Sequence, residues 1–450
     1  MSESSTGSVG VGRARVVLVG ALLALALFST LMLRGAEPFA TWFYLFAWVP
    51  TLVAADALVA LTGGAGRRGE FLLLSRPRFL LSMGAWSAVI WLYYELINLR
   101  LLNWYYVFVP SDRAMRWVFT FIAFATVLPA VFLSEAVLDG LGVARNARWR
   151  PVRMSRRLLL VLQIVGVFAF LPLLIKPEWF YPLVWGAAAF IIEPIVYRKD
   201  PARSILGDLE KGTPGRLLRL LLGGMLIGLT WELLNIRART KWIYTVPGFE
   251  DLKLFEMPVL GFFGFPPFAV ECFVLWQALV LAGVATPRDM AQRVVAGRTR
   301  VLAAAALAAV FSIGVLSAME GRTWDSHRPR LDALDDVPAR ELQRAGFDAF
   351  SLAGAEPQHV AALTGASVTD AAQWVETARF VTLRGMGQEN AELLRQVGIT
   401  DMEALARADA DELVTRLESV SGRDIVPARV RVWVRGARAA VGTQSKDLMP

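Results

Sequence analysis

Histidine and cysteine are almost missing from this 450-residue chain. The two histidines, His327 and His359, both fall outside the long apolar runs. That argues against a histidine-ligated haem, di-iron or zinc centre within those runs. One cysteine, Cys272, permits no intramolecular disulfide and leaves the redox compartment open. No nucleotide-binding loop, metal-ligand cluster or nucleophile motif occurs, so no cofactor is implied. Lysine is also scarce beside arginine, a bias that follows loop charge more than nucleic-acid binding.

Apolar residues are what the chain has in excess. They make up 55% of it, with a mean hydropathy of +0.47, where soluble domains hold about 45–50%. Runs of spanning length occur near 16–33, 41–61, 79–98, 115–138, 158–175, 179–197, 217–236, 258–283 and 301–318. The first follows Arg13 and Arg15 like a signal peptide, but it is long for that role and reads as a span. The expected fold class is therefore all-α, a polytopic membrane protein of about nine transmembrane helices with a small soluble helical domain after them.

Charge is unevenly shared. Residues 325–450 carry a net charge of about −4, which leaves the first 324 near +12. The N-terminus and the loops at 62–78, 139–157, 198–216 and 284–300 hold a little over twenty Lys and Arg, against about nine in the alternate loops. The positive-inside rule then places the N-terminus in the cytoplasm and, after nine spans, the C-terminal part outside.

The two halves match at one offset of 137 residues. Trp42-Phe43-Tyr44 aligns with Trp179-Phe180-Tyr181, Trp48 with Trp185, Asp56 with Glu193 and Pro77 with Pro214. Glu95 then aligns with Glu232, Asn98 with Asn235, Arg100 with Arg237, Pro110 with Pro247 and Pro129 with Pro266, while Glu135 and Glu271 correspond within one residue. Four spans per copy is an even number, which predicts two parallel four-helix repeats plus one added helix. The expected division is a cytoplasmic tail at 1–15, repeat one at 16–138, a basic linker at 139–157 and repeat two at 158–283. The ninth helix follows at 301–318 and the soluble domain at 325–440.

Ionisable groups at membrane depth are costly and mark candidate sites. Asp56, Glu95 and Glu135 in one copy, and Glu193, Glu232 and Glu271 in the other, are the candidate catalytic acids, which face-to-face packing of the copies would gather into one cavity. Their alternative use is structural, at helix ends or paired with loop arginines. Asn98 and Asn235 lie three residues after an acid, on the same helix face, and join Arg100 and Arg237 as candidate substrate-binding groups. They serve equally well to tie helices together. Trp104, Tyr105, Tyr106, Trp242 and Tyr244 open the following loops, either as an interfacial aromatic belt or as a wall beside a cation. In GFPPFAVE, Pro266 and its neighbour predict a kinked or broken span.

An acid on one helix, W-x-Y in the next loop, then a proline-bearing span with a second acid resembles the lycopene cyclase domain of carotenoid enzymes. Glu232, Trp242, Tyr244, Pro266 and Glu271 carry the match, with Glu95, Trp104, Tyr106, Pro129 and Glu135 in the first copy. The resemblance implies tandem membrane repeats whose carboxylates protonate a polyene and stabilise the cation. It covers about forty residues per copy and departs from the family in two respects. The family's paired P-x-E-E is here a single acid five residues after Pro266, and its repeats have three spans.

The tail resembles a tandem helix-hairpin-helix-like bacterial domain of unknown function. Leu383-Arg384-Gly385-Met386-Gly387 stands as the hairpin, Gly398-Ile399 as a turn, and Gly346-Phe347 marks an earlier copy. Acidic balance and an extracytoplasmic position disfavour DNA and favour protein interaction or self-association through 325–440. Its basic end, Arg429, Arg431, Arg435 and Arg438, is a candidate contact for anionic lipid.

The leading expectation is an integral protein of a bacterial cytoplasmic membrane. Its carboxylate- and aromatic-lined cavity would perform acid-base chemistry on an apolar isoprenoid or lipid substrate. A proton- or cation-coupled transporter, a scaffold or sensor working through the tail, and a binder of polar lipid are the alternatives.

Overall fold

The structure, a computed structural model, describes residues 2–64, 66–247, 252–334 and 337–447. Among them are nine helical segments long and apolar enough to cross a membrane, and strand is confined to short pairs. The chain divides into two units. The first holds Met1–Trp104, Trp117–Ala238 and Val246–Arg322; the second holds Tyr105–Arg116, Arg239–Thr245 and Thr323–Pro450. The expected soluble domain at 325–440 is thus enlarged by two loops that follow the third and seventh spans.

Repeat one of the first unit is built from α1 (Ser2–Leu33), α2 (Phe43–Thr62), α3 (Pro77–Leu101), α4 (Arg113–Phe124) and α5 (Val127–Gly140). Repeat two follows with α6 (Arg156–Ile175), α7 (Pro177–Phe180), α8 (Ala187–Lys199), the short α9 (Ile205–Glu210), α10 (Gly215–Asn235) and α11 (Phe265–Leu281). The ninth span is α12 (Arg298–Met319). Helices pack in the same order in each half: first on second (α1 on α2, α6 on α8), second on fourth (α2 on α5, α8 on α11), third on fourth (α3 on α5, α10 on α11). Between the halves α10 packs on α5 and α2, and α11 on α5 and α3.

Both fourth spans are interrupted. In repeat one the break is at Ala125-Thr126; in repeat two a 3-10 helix, Val259–Gly264, precedes α11. The break expected at the prolines lies just ahead of them. Pro266 and Pro267 occupy the first turn of α11, where an N–H has no helical partner to lose. Ser87 on α3 stitches the first break, donating to Phe124 O at 2.6 Å and accepting from Leu128 N at 2.9 Å. At the matching position repeat two has Gly224. A Cβ there would lie 2.5 Å from Phe265 O, so the second break is accommodated by close backbone approach instead.

The second unit takes β1 (Trp104–Val107) from Tyr105 onward, and β1 pairs with β2 (Lys241–Tyr244). The segment after Arg322 adds a parallel ladder to β1: Tyr106 N donates to Thr323 O at 2.7 Å and Asp325 N to Tyr106 O at 2.9 Å. Val109 N and Arg328 N continue it, each at 3.0 Å. Eight helices follow: α13 (Ala339–Arg344), α14 (Ala349–Ala353), α15 (Pro357–Thr364), α16 (Val368–Thr382), α17 (Gly387–Gln396), α18 (Met402–Arg407), α19 (Ala410–Ser421) and α20 (Pro427–Asp447). They close over a core that includes Leu342, Val360, Val375, Leu394, Leu405 and Trp433.

Candidate functional site: buried carboxylates among aromatic rings

Two of the six intramembrane acids sit in an aromatic cluster drawn from both repeats. Glu95 and Glu271 are each fully buried, at 0% exposure. The Glu95 Oε1 atom accepts two indole N–H groups, from Trp91 at 3.0 Å and Trp104 at 2.9 Å. Trp91 is one helical turn before the acid on α3, so it reaches the carboxylate without any strain in the chain. Trp104 arrives from the first residue of β1. Glu271, on α11 of the other repeat, accepts the phenol of Tyr94 from α3 at 2.8 Å. Its second oxygen accepts Ala189 N at 3.4 Å, in the first turn of α8.

The rings around them form a continuous wall. Trp91 lies 5.1 Å from Trp231, 5.9 Å from Tyr94 and 5.7 Å from Phe268 between ring centroids. Trp185 stacks on Tyr94 at 5.3 Å and on Trp104 at 6.2 Å. Tyr94, Trp104 and Phe268 are buried, whereas Trp91 and Trp185 keep part of their surface accessible. Glu232 is also at 0% exposure and interacts electrostatically with Tyr44.

The remaining acids have other partners, so the expected ring of six does not form. Asp56 accepts the backbone amides of Leu72, Leu73 and Leu74 at 2.6 to 3.2 Å. Its counterpart Glu193 accepts Ser204 Oγ at 2.6 Å and Leu206 N at 2.9 Å. Both fasten the loop after their own helix. Glu135 pairs with Arg219 Nε at 2.7 Å, and Arg219 also meets Asp139 at 3.3 Å.

The candidate binding groups also separate. Asn98 clamps the end of α3: its Nδ2 donates to Trp104 O at 2.9 Å and its Oδ1 accepts Asn103 N at 3.0 Å. Asn235 is buried; Arg100 and Arg237 are exposed. Tyr105, Tyr106, Trp242 and Tyr244 belong to the second unit, where Trp242 Nε1 donates to Tyr244 Oη at 3.1 Å. Pro266 starts α11 and touches chemistry only by setting where that helix begins. Sequence reading missed Glu256, at 1% exposure between the strands β3 (Lys253–Leu254) and β4 (Met257–Pro258). Its setting in a polar loop looks like that of an ordinary solvated acid and gave no signal.

The second unit has its own charge network. Arg429, expected on a basic surface, is buried: its Nη1 meets Asp325 at 2.6 Å, with both side chains under 10% exposed, and its guanidinium lies 4.8 Å from the Tyr105 ring. Burial pushes the Asp325 carboxyl above its ordinary range, against the pull of Arg429 and Asn390. Asp348 accepts Arg239 at 2.7 Å and Arg328 at 3.3 Å. Burial raises that carboxyl, but the Ser351 amide and Arg239 together outweigh it and hold it below the usual range. Arg438 donates to the carbonyls of Ala406 and Ala408, and Arg431 sits 3.5 Å from Asp411.

Residues 338–439 match one family, described as Domain of unknown function (DUF4332). The match covers most of the helical part of the second unit and none of the first. No curated protein and no solved structure matches the chain.

Proposed function

We propose that the first unit is an intramembrane acid-base enzyme acting on an apolar, isoprenoid-like substrate. One observation carries the reading: the 2.8 Å bond from Tyr94 to the buried Glu271, made across two repeats inside a wall of indole and phenyl rings. A phenol donating to a carboxylate places a proton-bearing group and a proton acceptor side by side, the pair of roles that adding a proton to a carbon–carbon double bond and removing one from a neighbouring carbon requires. The cation formed between those two steps is stabilised by ring faces and by Glu95. The two indole donors hold the Glu95 carboxyl in place, which suits a fixed group beside the cation better than a proton donor. Glu232 supplies a second titratable group beside Tyr44. Proton addition and loss balance, so no oxidant or metal enters.

The lycopene cyclase-like motif supports the same class of chemistry for its two acids, Glu232 and Glu271. The geometry moves the emphasis within it to Glu271 and Glu95. The test is production of a cyclised or isomerised product from an acyclic polyene in cells carrying the chain. Wild type should form it and Glu271→Gln should not; product from both, or from neither, overturns the reading.

The interrupted fourth spans favour a second reading, coupled transport, because broken helices at matching places in two repeats often line transport sites. Proteoliposomes with an internal pH dye would report proton-linked flux that Glu271→Gln abolishes.

A further inference from the structure

The glycine hairpin at 383–387 is the sequence motif that the intramembrane chemistry leaves unused. In a hairpin that grips phosphate, the glycines present bare backbone to the ligand. Here that backbone faces the chain itself. Gly385, at φ +82°, is so close to β1 that a Cβ would fall 2.4 Å from Val107 Cγ1. Gly387, at φ +71°, would meet Ser326 Cβ at 2.6 Å. Around this contact Tyr105, Val107 and Phe108 of the first loop, Ile243 of the second and Val432 of α20 share one small core. Arg429 lies over Tyr105 while holding Asp325. Arg239 of the second loop lies 4.5 Å from the Phe350 ring and pairs with Asp348, and Thr240 Oγ1 donates to Phe108 O at 2.7 Å.

Those loops are the direct continuations of α3 and α10, the helices that carry Glu95 and Glu232. The chain leaves α3 at Leu101 and enters β1 at Trp104; it leaves α10 at Asn235 and enters β2 at Lys241. Each connector is only a few residues long and has little slack.

We propose that the C-terminal unit is an internal strap. It occupies the surface where a helix-hairpin-helix would take a foreign ligand, and uses it to clasp the loops of both repeats. The ends of α3 and α10 on that side then cannot part without dissolving the core around Val107. Rocking of one repeat against the other is blocked while the strap is closed. A fixed catalytic scaffold tolerates this, whereas an alternating transporter must open the strap in every cycle.

The test needs no substrate, so it fails or succeeds independently of the enzymatic reading. A protease site is placed at Gly321, an exposed position between α12 and the tail, in the otherwise intact chain in nanodiscs. After cleavage the tail should stay bound through gel filtration and be released when Gly385→Val is added. A wild-type tail that elutes alone overturns the proposal, as does a Gly385→Val tail that remains bound. Spin labels at Arg100→Cys and Arg237→Cys give the second readout. The distance distribution should be narrow in the uncut chain and broaden at least two-fold with the tail released. An unchanged width after release shows that the tail does not restrain the repeats.

Discussion

Trp185 stacks on Tyr94 with ring centroids 5.3 Å apart, and the residues 137 positions away, Trp48 and Trp231, make the same pair with partners exchanged, at 6.0 Å. Each repeat lends its tryptophan to the acid-bearing helix of the other. The aromatic wall is therefore a product of the pairing of repeats, and neither copy builds it alone.

Tyr94→Phe keeps the ring on Trp185 but removes the donor to Glu271. A hydrogen bond of this kind is worth roughly 0.5–1.5 kcal/mol net, and thermal unfolding in nanodiscs should register a loss of that order. Turnover, if the enzymatic reading holds, should fall at least ten-fold. Trp185→Phe, which retains an aromatic face, should cost less on both counts.

Asp56 should behave as a structural residue. Asp56→Ala strands three loop amides and should lower stability by about 2–4 kcal/mol, taking each lost bond at the scale for charged acceptors with partial rescue by water. Glu193→Ala should do the same more mildly. Neither should alter the pH profile of turnover; a shifted profile would return these acids to the site.

Nine spans and a 137-residue register were readable because hydropathy and position are properties of the chain itself. The inequality of Glu95 and Glu232 was not. It turns on position 228, where repeat two has glycine and repeat one has Trp91, the donor to Glu95. A Cβ on Gly228 would sit 2.2 Å from the Phe265 ring, so a ring from another helix fills the space that Trp91 fills for itself. Only packing reveals that exchange. The roles of Asp56 and Asn98 were hidden for a related reason, since their partners are backbone groups, which leave no mark in side-chain spacing.

Gly228→Ala follows directly. Forcing a methyl against Phe265 is overpacking, which typically costs about 1–3 kcal/mol. The variant should unfold earlier than wild type, and adding Phe265→Leu should restore most of the difference. Additive losses in the double variant would show that the two residues do not share this space.

Asp348 gives the second unit a defined acid sensitivity. Its folded-state carboxyl is held below the ordinary range, so it contributes stability above the unfolded value of about 4. That contribution is lost as pH falls through the depressed folded value. Protease sensitivity of the tail should rise in that window, and Asp348→Asn should be more sensitive at neutral pH and flatter with acid. Asp325 has the opposite sign: its raised carboxyl makes the unit less stable as pH climbs from its unfolded value to its folded one.

The strands of the second unit come from residues near 105 and 241, with bridging backbone near 325, and α20 ends at Asp447. During synthesis the first loop must wait for more than 300 further residues before Val432 exists to cover it. All nine spans emerge before that point, so the membrane helices must insert and pair while Val107 and Phe108 are still bare. A chain shortened before α20 would leave those side chains without the cover of Val432, and it is such a product, more than any variant at Glu271, that a cell's quality control should recognise first.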